Sequence, residues 1–270
     1  MAAIPVRRRL VGRALREYRH GLGYSLDDAA HLLECHRSKV SRIETGQRGI
    51  TPRELRQLLG EYSVDSKVQE TLLALARPLG GNGWWRSFMD VLPAALVDYA
   101  IMESAASKIM IYETQQVPVL LQTRAYAEAI AEASASTDDE TRRRLVDATL
   151  ARQQAMLGAP KPDISFILGE GALRQEVGTA AVMREQATAL ASGTAFQVVP
   201  FAAGVWLALQ AGPMTILEYA GAPELDVAYL GNGVWADDAA TARAAFIRLS
   251  DSALTPKASA RFVVKRQCGQ

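Results

Sequence analysis

The residues best able to do chemistry in this chain stand in one run, HRSKVSRIETGQR, from His36 to Arg48. Arg37, Lys39 and Arg42 place three cations within seven residues, with Val40 and Ile43 between them. Such a run offers hydrogen-bond donors to base edges and phosphates. The guanidinium fork matches O6 and N7 of guanine, whereas Ser38, Ser41 and Lys39 discriminate less. On a helix, positions 37 and 42 lie about 1.5 turns apart, close enough to share one groove. Val40 and Ile43 then form an inner anchoring face. A basic helix alone is equally well read as a solvated face, so the elements around it must decide.

Val11, Ala14, Leu15, Tyr18 and Leu22 recur at helical spacing and predict a helix over about 7–20. Arg7, Arg8, Arg9, Arg13, Arg16 and Arg19 would cover much of its remaining surface, and Gly21 to Gly23 would end it. Ser25 followed by Asp28 is a short-armed capping box that opens a second helix. Ala29, Ala30, Leu32 and Leu33 give that helix a tight packing face. After a short break the basic run forms a third helix over about 36–44. Thr51, Pro52 and Glu54 open a fourth, and a fifth covers about 65–76. Helices two and three, joined by a short turn with Ala30 at the crossing, make a helix-turn-helix whose second helix can enter the major groove.

In this setting the stretch GRALREYRHGLGYSLDDAAHLLECHRSKVSRIETGQR resembles the xenobiotic-response-element, or phage-repressor-like, helix-turn-helix family over about residues 8–62. The resemblance implies that His36, Arg37, Ser38 and Arg42 touch bases. It implies that Ser41, Thr45 and Arg48 lie at or near backbone-contact positions. It also implies that Glu44 pairs with Arg19 as a structural brace, and that Cys35 fills an apolar core position. Leu26 departs from the family, which usually carries Gln there to contact phosphate and prop the reading helix.

The glycine-rich PLGGNG, residues 78–83, reads as a linker between a DNA-binding domain over 1–77 and a larger domain over 84–270. The larger part predicts helices over about 95–114, 123–133, 138–157, 180–192, 237–252 and 255–266. Strands are expected at 163–169, 195–200, 214–219 and 226–231. The fold class is therefore mainly α with two domains, a five-helix helix-turn-helix bundle followed by an α+β domain of about four strands. WWRSF, ESAASKIMIYETQQVPVLLQTRAYAEAI, GEGALRQEVG, VVPFAAG and TILEY are similar, in order, to the DUF5753 domain of actinobacterial regulators, the WhiJ-like regulators of Streptomyces among them. That resemblance implies a transcription regulator, often encoded beside a small DUF397-type partner protein. Val119 and Leu230-Gly231 depart from the family pattern.

Composition bounds the alternatives. Residues 1–62 carry 12 Lys/Arg against 7 Asp/Glu, whereas the remaining residues carry 18 against 22. A basic module on a mildly acidic body suits one polyanionic partner and one of another kind. No histidine follows His36, and no hydrolase, zinc-protease, P-loop or dinucleotide motif is present, which reads against an enzyme, a cofactor or a metal site. Cys35 and Cys268 suggest no disulfide framework. The basic start lacks a long apolar run after it, and Val198 to Leu209 is too short to span a membrane, so a cytoplasmic, nucleoid-associated protein is expected. Trp84, Trp85 and Trp206 are candidates for ligand or partner contact, with core filling as the alternative for each. The sequence thus predicts a homodimeric regulator, simplest as a repressor, on a palindromic double-stranded operator, modulated by a small molecule or a DUF397-type protein. The competing reading is an antitoxin-like protein that sequesters a partner and binds DNA to regulate itself.

Overall fold

The computed structural model describes residues 4–133, 138–158, 162–204, 212–231, 235–236 and 239–267. The chain forms two compact units. The first comprises Met1–Met89, Pro93–Lys108 and Leu217–Val227, and the second comprises Asp90–Leu92, Ile109–Ile216 and Ala228–Gln270.

In the first unit, five helices follow in order: α1 (Val6–Gly21), α2 (Leu26–Leu32), α3 (Arg37–Glu44), α4 (Pro52–Glu61) and α5 (Ser66–Leu75). Their apolar stripes meet in a core that includes Leu10, Leu15, Ile43, Leu55, Leu59 and Leu72. Gly12 is required where α1 meets α3, because a Cβ there would lie 2.5 Å from the Ile43 carbonyl oxygen. A 3-10 helix over Trp84–Phe88 follows, then α6 (Ala94–Ala105). Trp85 is buried, and its indole N–H donates to the Leu79 carbonyl at 3.1 Å. That Trp is therefore core rather than an exposed docking ring. Residues 217–227 complete the unit with a 3-10 turn at Pro223–Leu225.

Not all of the α1 arginines face solvent, as the sequence alone suggested. Arg7 is 5% exposed. It donates to the Asp98 carboxylate on α6, to the Leu75 carbonyl at 2.9 Å and to the Arg77 carbonyl, so it ties α1 to α6 and to the C-terminal end of α5. Arg13 donates to the Glu224 carbonyl, and the Tyr18 hydroxyl donates to the Glu224 carboxylate at 2.9 Å. Burial, followed by that bond to Glu224, pushes the Tyr18 hydroxyl up to about 12. Arg8 and Arg16 remain exposed.

The sheet has strand order β3-β2-β1-β4-β5-β6. Its strands are β1 (Lys108–Glu113), β2 (Asp163–Gly169), β3 (Gln197–Val199), β4 (Met214–Glu218), β5 (Val227–Leu230) and β6 (Trp235–Ala236). β2 and β3 are parallel, with Leu168 opposite Val198, and β5 and β6 are antiparallel, with Tyr229 opposite Trp235. The second unit adds the helices α7 (Arg124–Ala133), α8 (Asp139–Leu157), α9 (Glu170–Arg174), α10 (Ala180–Ser192), α11 (Ala240–Ser252) and α12 (Pro256–Gln267). α7 packs on α8, and α10 packs on α12. Tyr112, Ile167, Val199, Met214 and Ile216 from the strands form one core with Phe246 and Leu249 of α11.

The four expected strands are present, and β1 and β6 are added to them. The helix expected over 95–114 ends at Ala105, and the chain continues as β1. β1 lies between β2 and β4, and Ile109 to Tyr112 are all buried. A strand covered on both faces shows no polar alternation, so its sequence runs on from the helix without a break in pattern.

Removing Asp98 leaves a buried guanidinium without its counter-charge. Asp98→Ala is expected to lower unfolding stability by about 3–5 kcal/mol in urea denaturation. A loss below about 1 kcal/mol would show instead that the pair is effectively solvated.

Candidate nucleic-acid interface

The candidate site is the outer face of α3, and its frame is built by local sequence. Ser25 caps α2 in a reciprocal box with Asp28: the Asp28 N–H donates to Ser25 Oγ at 3.1 Å, and the Ser25 N–H donates to the Asp28 carboxylate at 2.7 Å. The chain then turns through Glu34, whose φ of 48° is left-handed. The Cys35 N–H donates to the Ala30 carbonyl at 2.9 Å, closing α2. His36 caps α3: its Nδ1 accepts the Ser38 N–H at 3.2 Å and lies 2.9 Å from Ser38 Oγ. Val40 packs inward against Ala29 and Ala30, and Leu26, Leu33 and Cys35 flank that cluster. Leu26 thus serves as an apolar prop at the start of α2.

Two ion pairs fix the helix at its flanks. Arg19 meets Glu44 at 2.6 and 2.8 Å, with both side chains almost wholly buried. Arg19 also donates to the Tyr24 carbonyl at 2.7 Å. The bond to Glu44 raises the already high proton affinity of the guanidinium, so this buried charge is permanent. On the other flank the Lys39 ammonium meets the Glu54 carboxylate. Glu54 is also the box partner of Thr51 in α4, accepting its N–H at 3.0 Å and its hydroxyl at 2.9 Å. Burial acts to raise the Glu54 carboxyl, but Lys39 and the Thr51 donors outweigh it and hold it below the ordinary glutamate value. Gln57 donates to the Leu32 carbonyl, linking α4 to the end of α2.

Of the sequence-derived candidates, His36, Arg37, Ser38, Arg42, Thr45 and Arg48 are exposed, whereas Lys39 and Ser41 are half-buried. Lys39 therefore works as a brace to α4 and not only as an outward donor. Arg37 lies 3.7 Å from Asp27, both open to solvent. The Arg42 Nε–H donates to the Ser38 carbonyl at 3.2 Å, which folds the side chain back along the first turn of α3. Thr45 donates its hydroxyl to the Ser41 carbonyl at 2.9 Å. Gly46 (φ 72°) turns the chain out of α3, and a Cβ there would lie 3.1 Å from the backbone nitrogen of Arg9. Arg48 stands just beyond, its N–H bonded to the Arg42 carbonyl at 2.9 Å. Trp84 meets Trp85 edge-on at 6.1 Å, and Trp206 lies outside the described residues. Sequence reasoning did not single out Gly12 or the pairing of Lys39 with Glu54. Thr51-Pro-Arg-Glu54 was legible as a helix start, but nothing in that motif shows its second partner.

An exposed set of donors on a short, doubly braced second helix defines a helix-turn-helix DNA-binding regulator. A helix-turn-helix domain model matches residues 10–80, and the model of a domain of unknown function, DUF5753, matches residues 96–265. The chain belongs to the DUF5753 family. No curated protein and no solved structure matched it. The DUF5753 segment supplies most of α6 and residues 217–227 to the same compact unit as the helix-turn-helix. Among the described residues no helix is long and apolar enough to cross a membrane.

The depressed Glu54 carboxyl carries a pH signature. A carboxylate held low contributes stability above its unfolded-state pKa, and that stability is lost as pH falls through the folded value. Lys39→Met is therefore expected to be less stable than the wild type at pH 7, by no more than about 1 kcal/mol for a partly exposed pair. The gap should close as pH is lowered through and below the ordinary glutamate range, measured as urea midpoints against pH. A gap independent of pH would mean that Lys39 acts by packing alone.

Proposed function

We propose that this protein is a homodimeric transcriptional repressor that lays α3 in the major groove of a palindromic operator. Arg37, Ser38 and Arg42 read base edges, with His36 beside them at the helix start. Ser41, Thr45, Arg48 and the exposed Arg8 and Arg16 contact phosphates, which adds affinity without sequence information. The observation that carries this reading is the exposed face of His36, Arg37, Ser38 and Arg42 on a helix whose other sides are buried or paired. A rigid helix loses little conformational freedom when it docks. One module of this size makes few base contacts, which favours two copies on half-sites about one helical turn apart. Occupying a promoter is sufficient for repression and requires no catalysis. The DUF5753 part takes the signal, from a small molecule or a DUF397-type protein, and shifts the population between states of different operator affinity.

Genome-wide mapping of bound sites, with titrations on the recovered fragments at fixed salt, tests this reading. Arg37→Ala is expected to weaken binding by about 1–3 kcal/mol and relax preference at one base pair per half-site. Arg8→Ala should weaken all sequences alike and lower the salt slope by about 1. If Arg37→Ala/Arg42→Ala keeps the same sites at the same salt, α3 is not the reading helix.

A further inference from the structure

The second unit contains a cavity of about 590 Å³ where β1 ends, β4 begins and β5 ends. That volume suits a small organic molecule. Its lining includes the polar residues Glu113, Gln116 and Gln175 and the apolar or aromatic residues Ile130, Met214 and Tyr229. Tyr229 is itself held by Trp235, with ring centroids 4.9 Å apart. No lysine, arginine or histidine is among the described lining residues. A phosphate or carboxylate ligand would therefore find no counter-charge among the described lining residues and would meet Glu113. A protonated amine would find the reverse: one carboxylate in a poorly solvated wall, amides to complete its hydrogen bonds, and a greasy recess for its carbon body.

We propose that this cavity is a binding site for a monocationic organic amine with an apolar body, its ammonium paired to Glu113. Burial pushes the Glu113 carboxyl up to about 7, against the opposing pull of a hydrogen bond to the Thr114 backbone. The ionised form thus lacks the neutralising partner that such a ligand supplies. The proposal rests on the reading that the DUF5753 part takes a signal, and the chain provides a covalent route for it. β4 and β5, which border the cavity, are joined by residues 219–226, and that connection carries Glu224, the partner of Tyr18 and Arg13 on α1.

Three probes of one shape separate charge from fit. The full-length protein is titrated at pH 8 with 4-phenylbutylamine, 4-phenylbutanol and 4-phenylbutyrate by calorimetry or saturation-transfer NMR. The amine is expected to bind at least about tenfold tighter than the alcohol, with the carboxylate weakest, as an ion pair in a partly desolvated wall requires. Glu113→Gln should remove the amine's advantage and leave the alcohol unchanged. Tyr229→Ala should weaken both by a similar factor, with circular dichroism confirming that each variant is folded. Equal binding of amine and alcohol to the wild type overturns the assignment whether or not the variants fold. So does an amine preference that survives Glu113→Gln, or failure of all three probes to bind. Operator affinity is measured separately. An amine that binds through Glu113 but leaves operator affinity unchanged supports the site and removes the effector reading. Absence of an amine preference in the wild type, with operator binding still under effector or partner control, removes the site alone.

Discussion

A guanidinium taken out of water needs acceptors for its donors and an opposite charge close by, and α1 buries two of them. Arg7 and Arg19 sit near the two ends of that helix, and each finds a carboxylate on a different element: Asp98 on α6 and Glu44 at the end of α3. Between them Gly12 lets the backbone of α3 approach within a distance that no side chain would allow. The position of α3 is thus set from α1 through a close backbone crossing and a charge pair that cannot be exchanged for water at low cost. The arginine-rich first helix, which reads in sequence as a cationic surface, is in large part an internal frame.

The consequence for recognition is a separation of labour along α3. Its inner face is packed, one flank is tied by Glu44 to α1, and the other is tied by Lys39 to the capping box of α4. What remains free to meet a partner is the set of exposed donors at the N-terminal turn together with Arg42. Arg37 makes an exposed pair with Asp27 at 3.7 Å, weak enough to yield to a base edge or phosphate. Leu26 fits this division. It supports the crossing of α2 and α3 by packing beside Ala29 and Ala30, so the start of α2 is stabilised by apolar burial and its own capping box.

Much of this frame was legible because it is local. Ser25 with Asp28, and Thr51 with Pro52 and Glu54, announce helix starts within four residues, and the helical period of Leu55, Leu58 and Leu59 needs no tertiary information. The parts that sequence reasoning missed are those decided at long range. Arg7 and Asp98 are separated by 91 residues, and Tyr18 and Glu224 by 206. No local pattern distinguishes an arginine that will be buried by a distant acid from one that will stay in water. β1 was hidden for a different reason: a central strand loses the alternation that marks a half-exposed one, and it follows α6 almost directly.

The same rule about buried charge gives meaning to its exception. Asp98 has Arg7, and Glu103 accepts the Tyr99 hydroxyl at 3.2 Å. Glu170 has Arg174 and the Phe201 N–H, and Asp226 accepts the Tyr219 N–H at 2.9 Å. Of these buried acids, Asp98 and Glu170 are neutralised by an arginine of the fold. Glu113 is held in a poorly solvated wall with a backbone donor beside it and no cation among the described residues that line its cavity. A group that the fold does not neutralise is one that a ligand can neutralise. The contrast between Glu113 and the ion-paired Asp98 and Glu170 therefore points to its cavity as the place where the second unit meets something outside itself.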